Sequence, residues 1–236
     1  MKAVIIGGTS GLGRALAGAF IANGWEVAVT GTRDDSIRDF SALHPGVTVR
    51  RTDLGDIDKS RRDFLELAEE PGGTDAAVIC AGHFDWDRET DWEIEKKAIE
   101  INALGCAGVL NAAFRYFLKK GSGRLAGVSS IGAVRGSGAC PAYNASKAFI
   151  TNYLEGLRQA AALSGADISV TTAMPAYIAG KEEAAARDIV EAVIKKRRCV
   201  YTPARWRALA AIYRNLPDFL HEKMAKRHDQ ILKPFK

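Results

Sequence analysis

Apolar residues along this chain fall into two alternating kinds of pattern. The first is short and continuous: residues 2–6, 26–30, 47–52, 76–80, 124–129 and 167–173 are rich in Val, Ile and Ala, and 199–202 forms a short seventh run. Runs of this length, bounded by glycine, aspartate or proline, predict strands buried on both faces. The second pattern has helical spacing. Leu12, Leu16, Ala19 and Phe20 make one stripe, Ile94, Ala98, Ile101 and Gly105 begin another, and Phe149, Ile150, Tyr153, Leu154 and Leu157 make a third. Strands alternating with helices predict an α/β fold: a doubly wound parallel sheet of about seven strands with helices on both faces. Parallel strands need crossovers, and crossovers lie across a face. Ligands in such folds bind beyond the carboxyl ends of the strands.

Composition narrows the picture. The 236 residues are 47% hydrophobic and 26% charged, enough to bury a sizeable core. The first residues lack the apolar core of a leader, because glycines interrupt the run at Gly7. Uninterrupted apolar stretches fall short of the roughly 18–20 residues of a membrane span. Cys80, Cys106, Cys140 and Cys199 are widely separated, with no histidine beside them. Their spacing predicts free thiols in a cytoplasmic setting, with no metal site and no disulfide framework.

The formal net charge of +5 is unevenly distributed. Residues 195–236 hold twelve Lys/Arg against three acids, leaving 21 basic and 25 acidic residues in 1–194. Without basic residues interleaved with aromatics through the body, no nucleic-acid partner is expected. In the tail, Trp206, Leu209, Tyr213, Leu216, Phe219, Leu220 and Met224 repeat at helical spacing, and Pro217 divides them. Such a basic amphipathic pair either docks on the fold or a partner subunit, or makes weak contact with a membrane surface.

The first predicted strand runs into Gly7-Gly8-Thr9-Ser10-Gly11-Leu12-Gly13, ahead of a predicted helix. Glycines at a strand–helix junction let backbone approach a pyrophosphate, and the helix start supplies unpaired N–H donors. Further on come Asp53 closing the third strand, Ala81-Gly82 after the fourth, Asn102 within a long helix and Ser130 after the fifth. Thirteen residues beyond Ser130 lies Tyr143-Asn144-Ala145-Ser146-Lys147, and Pro175 follows the sixth strand. Tyr143 and Lys147, four residues apart on a helix, share one face.

In this order and spacing the landmarks resemble the short-chain dehydrogenase/reductase family over about residues 2–180. The resemblance implies a Rossmann-type fold in which residues 1–203 form the NAD(P)-binding domain with its catalytic residues, and 204–236 a basic helical extension. It implies an oxidoreductase moving hydride between a nicotinamide and a carbonyl or alcohol. Tyr143 is then general acid in reduction and base in oxidation, and Lys147 holds the nicotinamide ribose. Ser130 binds the substrate oxygen, and Asn102 holds a water relaying protons to Lys147. Two plainer readings stay open: Ser129 as the active hydroxyl, and Asn102 as a residue bonded only to backbone. Cofactor contacts are implied for Gly7, Thr9, Ser10, Gly11, Leu12, Gly13, Asp53, Leu54, Ala81, Gly82, Tyr143, Lys147, Pro175 and Ile178. A homodimer or homotetramer is a further implication.

At the tip of the second strand, where NAD-dependent relatives carry an acid for the ribose hydroxyl, this chain has Gly31, Thr32 and Arg33. A guanidinium there suits a 2′-phosphate, so NADP(H) is expected ahead of NAD(H). The competing reading pairs Arg33 with Asp34 and Asp35. The chain departs from the family pattern at Ile6, at Ile79-Cys80, at Ala176 and in the missing threonine of Tyr177-Ile178-Ala179-Gly180. The short segment after Pro175 predicts an open pocket, with His83, Phe84, Trp86, Ile131, Cys140 and Tyr177 as candidate lining. These departures motivate a rival reading, a dinucleotide-binding regulatory or scaffold protein with little turnover.

Overall fold

The computed structural model describes residues 1–87 and 89–232, the last seven of these by backbone only. The final part of the basic tail, residues 233–236, lies outside the described residues. Seven strands form one parallel sheet: β1 (Lys2–Ile6), β2 (Glu26–Gly31), β3 (Thr48–Arg51), β4 (Ala76–Ile79), β5 (Ser122–Val128), β6 (Asp167–Pro175) and β7 (Cys199–Thr202). Their order is β3-β2-β1-β4-β5-β6-β7, so the order reverses between β1 and β4. That switch point opens a crevice at the strands' carboxyl ends.

Side-chain alternation in the strands sorts the core into two layers. Val4, Ile6, Ala77, Ile79, Leu125 and Val170 face one side. There they pack on α3 (Ile57–Glu69), α5 (Cys106–Lys120) and α6 (Pro141–Ser164) through Phe64, Leu67, Leu110, Phe117 and Leu154. Ala3, Ile5, Val27, Val29, Val78 and Ala126 face the other side. That layer is covered by α1 (Gly11–Ala22), α2 (Asp34–Leu43) and α7 (Glu182–Ile194) through Leu16, Phe20, Phe40, Ile189 and Val193. Burying each Leu, Ile or Phe stabilises by about 1.5–3 kcal/mol, and both layers need continuous apolar strands. That is why the strands are apolar runs and not alternating ones.

Strand ends differ from the sequence expectation where pairing overrides composition. β5 starts at Ser122, because Ser122 and Gly123 already pair with Asp167 and Ile168. β6 includes Pro175, aligned with Thr202 of β7, at a strand end where a missing N–H is tolerated. β3 stops at Arg51, so Asp53 lies two residues past the strand.

One helical run, residues 92–120, is long and apolar enough to cross a membrane by length and composition, yet half of its most apolar window is buried in the fold. Its middle is irregular. Between α4 (Trp92–Ala98) and α5 the backbone widens into a π-helical turn, Ile99–Gly105. Such turns commonly mark functional positions. The tail forms α8 (Trp206–Arg214) and α9 (Asp218–Leu232), separated at Pro217. It docks through Ala210 and Tyr213 against Val134, Met174 and Tyr201. An ion pair from Arg135 to Asp218 adds to this contact.

Candidate active site

The glycine turn after β1 packs too tightly for side chains. Gly7 has φ +83°, and a Cβ on it would lie 2.7 Å from Ala81 Cα; one on Gly13 would lie 1.8 Å from the Gly7 carbonyl oxygen. These clashes need glycine, and the turn holds the start of α1 at the sheet's switch point. Ser10 occupies the N-cap position but its hydroxyl caps nothing, and both Ser10 and Gly11 are exposed. Helix geometry leaves the first backbone donors without an intrahelical partner, a setting that suits an anion. Thr9 is different. It is buried, its hydroxyl shares a hydrogen bond with Ser36 at 3.0 Å, and it fills the space beside Gly31. Its side chain therefore fastens the loop to the end of β2. Leu12 is half-buried and packs on the core layer that α1, α2 and α7 cover.

At the tip of β2, Arg33 is exposed and lies 3.5 Å from Asp35. Both competing readings keep their footing: the guanidinium has an acid beside it and still faces solvent. Thr32 donates its hydroxyl to the Thr52 carbonyl at 3.1 Å. Register pairs Gly31 with Arg51, and the Arg51 Nε donates to the Thr32 carbonyl at 3.3 Å. A second guanidinium thus stands beside the first, where sequence spacing gave no hint of it. Beyond β3, Asp53 is exposed and accepts the Gly55 N–H at 2.9 Å, while Leu54 is buried against the π-helical turn. At the end of β4 Ala81 is half-buried and Gly82 exposed, with the Ala81 N–H donating to the Ile6 carbonyl.

Pro141 at the first turn of α6 sets where the helix begins, and so places Tyr143 and Lys147 on consecutive turns. Lys147 is 4% exposed, donates to the Val128 carbonyl at 3.1 Å, and lies 5.9 Å from the Tyr143 ring centre. One of its three N–H donors is thereby engaged, leaving two. A Cβ on Gly82 would lie 3.2 Å from both Lys147 Nζ and Asn102 Oδ1. The ammonium and the amide therefore meet at the same glycine, at the mouth of the switch point.

Asn102 is fully buried. Its Oδ1 accepts the His83 N–H, and its Nδ2 donates to the His83 carbonyl and to Ser146 Oγ at 3.2 Å. Both amide hydrogens are committed, while Oδ1 keeps a lone pair. The two serines separate clearly. Ser129 Oγ lies 2.9 Å from the Lys147 carbonyl and 2.7 Å from Thr151 Oγ1, so it bonds within the helix packing. Ser130 Oγ accepts the Gly132 N–H at 3.0 Å and retains its own proton for donation.

The candidate lining residues divide in the same way. Phe84 meets the Tyr143 ring edge-on at 4.8 Å and Trp86 at 5.2 Å, and both are exposed. Cys140 and Tyr143 share a crevice. His83 Nε2 lies 2.7 Å from Asp85 Oδ2, though out of line for a hydrogen bond. Ile131 packs toward the tail. After Pro175, Tyr177 adopts φ +49°, stands largely in solvent and meets Trp206 at a tilt, ring centres 5.3 Å apart. Ile178 is half-buried, and its carbonyl accepts the Lys181 N–H at 2.7 Å.

A hollow of about 600 Å³ lies elsewhere: Lys2, Trp25, Glu26 and Pro45 line it at the amino ends of the strands. None of the candidate site residues lines it. Among the described residues no group of three or more His, Cys, Asp and Glu is placed to hold a metal.

Comparison with known proteins follows this geometry. A family model described as short chain dehydrogenase matches residues 1–189. An uncharacterized oxidoreductase of Myxococcus xanthus (strain DK1622) is 33% identical over 183 residues, covering 75% of this chain and 71% of that protein. Among solved structures, LigD in its apo form from Sphingobium sp. strain SYK-6 aligns with TM-score 0.79 and 24% identity, over 92% of this chain and 97% of that one. ElxO with NADP bound aligns with TM-score 0.74 and 18% identity, over 85% and 96%. The structural likenesses, at these identities, speak for the fold.

Proposed function

The chain belongs to the short-chain dehydrogenase/reductase family, and on that footing we propose that it is an NADP(H)-dependent oxidoreductase acting on a carbonyl or alcohol, with Tyr143 as its proton donor and acceptor. The observation that carries this reading is Lys147, buried with two spare donors beside Gly82 and within 5.9 Å of the Tyr143 ring. A buried ammonium with free donors at the mouth of a dinucleotide crevice suits ribose hydroxyls.

The residues present fit the cofactor. The self-packed Gly7–Gly13 turn and the uncapped start of α1 suit a pyrophosphate, and Asp53, Leu54, Ala81 and Gly82 border the adenosine side. Pro175 and Ile178 stand at the nicotinamide side, at the end of β6. When bound, NADP(H) supplies or accepts the hydride. Ser130 then donates its hydroxyl to the substrate oxygen and holds it where charge develops. Tyr143 gives its proton to that oxygen in reduction and takes it back in oxidation. Lys147 stabilises the negative charge left on the phenol oxygen. Asn102 fixes the His83 backbone and, through its remaining lone pair, can accept from a water that passes protons toward Lys147. NADP(H) is favoured over NAD(H) by Arg33 together with Arg51. The direct test is NADPH consumption over a panel of ketones, aldehydes and quinones, compared between wild type and Tyr143→Phe.

The rival, a regulatory or scaffold protein that binds dinucleotide without turnover, draws on the exposed, strained Tyr177 where the family has a covering loop. The same assay separates the two. We place the protein in the cytoplasm, where its four free cysteines would stay reduced, and as a homodimer or homotetramer, an assembly supported by Ile99, Leu104 and Phe149, which the helices present to solvent. Weak membrane-surface contact is favoured by exposed Leu209, Ile212, Phe219 and Met224 among Arg205, Arg207, Arg214 and Lys223.

A further inference from the structure

Beside Tyr143 lies a narrow crevice, about 10 Å³, whose nine lining residues include Asp85, Asp87, Glu95, Cys140 and Tyr143 itself. Three of the nine are carboxylic acids, in a wall that also holds the proposed proton donor. Acids in a cluster commonly face solvent and mean nothing more. Asp87 does not face solvent. It is 5% exposed; its Oδ1 accepts the Asp91 N–H at 3.0 Å, and its Oδ2 is buried without a hydrogen-bond partner among the described residues.

A buried carboxylate oxygen without a donor is costly, and native structures rarely leave one so without a reason. The Asp87 position is firm, because its own N–H donates to the Ala139 carbonyl at 2.8 Å, just ahead of Cys140 and α6. The carboxylate is thereby held in register with the helix that carries Tyr143. The Tyr143 ring forms part of the crevice wall, and just before Asp87 in the chain Phe84 meets that ring edge-on, with Trp86 against Phe84 in turn. Carboxylate and aromatic surfaces together suit a cation. The size of the crevice selects among cations. A cavity of about 10–15 Å³ holds one water-sized group, which an –NH3⁺ matches and a trimethylammonium or guanidinium exceeds.

We propose that the substrate of this site carries a primary ammonium group, bound by Asp87 with Glu95 in support, on the same short chain as the carbonyl or carbinol carbon presented to Tyr143. The proposal rests on the oxidoreductase reading for the second half of that statement; the ammonium site itself stands on the crevice.

The test uses the full-length chain loaded with NADPH and compares n-butylammonium with n-butanol, and with N,N,N-trimethylbutylammonium, by ligand-detected NMR. Butylammonium should bind at least about tenfold more tightly than butanol, the worth of a charge-assisted hydrogen bond. Asp87→Asn should bring that ratio close to one. Asparagine keeps an oxygen for the Asp91 N–H, and an unchanged melting temperature would confirm that the fold survives. Glu95→Gln, at a half-buried position, should lower the ratio by a smaller factor. Equal binding of amine and alcohol, a ratio that survives Asp87→Asn in a folded variant, or equally tight binding of the trimethyl compound would each overturn the proposal. Turnover then separates the two readings. Amine preference without any Tyr143-dependent NADPH consumption on amino ketones and amino aldehydes would sink the oxidoreductase reading and leave the ammonium site standing. Consumption with no amine preference would do the reverse.

Discussion

Asn102 holds His83 by both of its backbone groups, accepting the N–H at 2.7 Å and donating to the carbonyl at 2.8 Å. This pair of hydrogen bonds joins the π-helical turn to the segment that follows β4 and carries Phe84 to Tyr143. The amide is completely buried and His83 half-buried, so loss of the amide leaves two backbone groups of His83 without their partner. Asn102→Ala should therefore cost about 2–4 kcal/mol, since each orphaned buried group costs roughly 1–3. In a domain this large that corresponds to a melting temperature lower by roughly 4–16 °C. Turnover should fall as well, because Phe84 loses its anchor. A melting curve within a degree of wild type would show that the turn holds His83 without help.

Thiol reactivity should follow burial. Burial pushes the Cys80 thiol up to about 12 and the Cys106 thiol up to about 11, with Lys147 opposing it only in part. Cys199 is exposed, although partial burial of its thiol raises it too. A maleimide at pH 8 should label Cys199 first and leave Cys80 and Cys106 essentially untouched, as thiolate is the reacting form. The same shifts carry a sign for stability. Folding keeps these thiols protonated above their unfolded value of about 8.5, so the folded state binds more protons there. Stability should fall as pH rises from about 8.5 toward 11, and peptide mapping that found Cys80 labelled as fast as Cys199 would contradict the buried placement.

The strands and the glycine turn were legible because each is a local pattern: an apolar run needs no partner to be recognised, and Gly7 to Gly13 are neighbours. Tyr143, Lys147 and Ser130 were placed by spacing, and the choice of Ser130 over Ser129 agrees with a Ser129 hydroxyl already bonded to Lys147 and Thr151. What stayed hidden depends on contacts between distant segments. Arg51 stands beside Arg33 only because β3 pairs with β2, and Trp206 meets Tyr177 only because the tail folds back over the end of β6. The unpartnered oxygen of Asp87 is invisible in a segment that reads simply as acidic. Strand boundaries slipped for a related reason, since hydrogen bonding to β6 extends β5 through residues of poor strand propensity.

Cofactor choice should depend on two guanidiniums. Arg33→Ala should weaken NADPH binding about tenfold to a hundredfold, the loss of a charge-assisted bond of roughly 1.5–3 kcal/mol. Arg51→Ala should weaken it less, because Arg51 also bonds the Thr32 carbonyl and lies near Asp34. NADH, lacking the phosphate, should be nearly indifferent to both. Equal losses for the two dinucleotides in fluorescence titrations would remove the basis for preferring NADP(H).

The tail prediction turns on ionic strength. If α8 and α9 rest on an anionic surface through Leu209, Ile212 and Phe219, the chain should co-sediment with vesicles containing phosphatidylserine at low salt. It should be released as salt shortens the reach of each arginine and lysine. Deleting residues 204–236 should abolish sedimentation. Absence of binding at low salt would leave only docking on the fold, through Ala210 and Tyr213, as the role of these helices.

Tyr143→Phe is the sharpest test of the chemistry. The substitution removes one oxygen and leaves the ring, whose edge-on contact with Phe84 and place near Lys147 do not involve the hydroxyl. The fold should hold, and NADPH should bind nearly as before, because the glycine turn and Lys147 are untouched. What is lost is the proton for the developing alkoxide. Positioned acid–base groups contribute about 10² to 10⁴ in rate, so kcat on any carbonyl that wild type reduces should fall by at least about a hundredfold. Lys147→Ala should differ in kind. It removes a buried ammonium that donates to Val128 and has donors left for the ribose, so kcat should fall and the NADPH dissociation constant should rise together. Should Tyr143→Phe keep wild-type turnover while Lys147→Ala loses it, the proton would have to come from elsewhere, with Ser130 the next hydroxyl to replace.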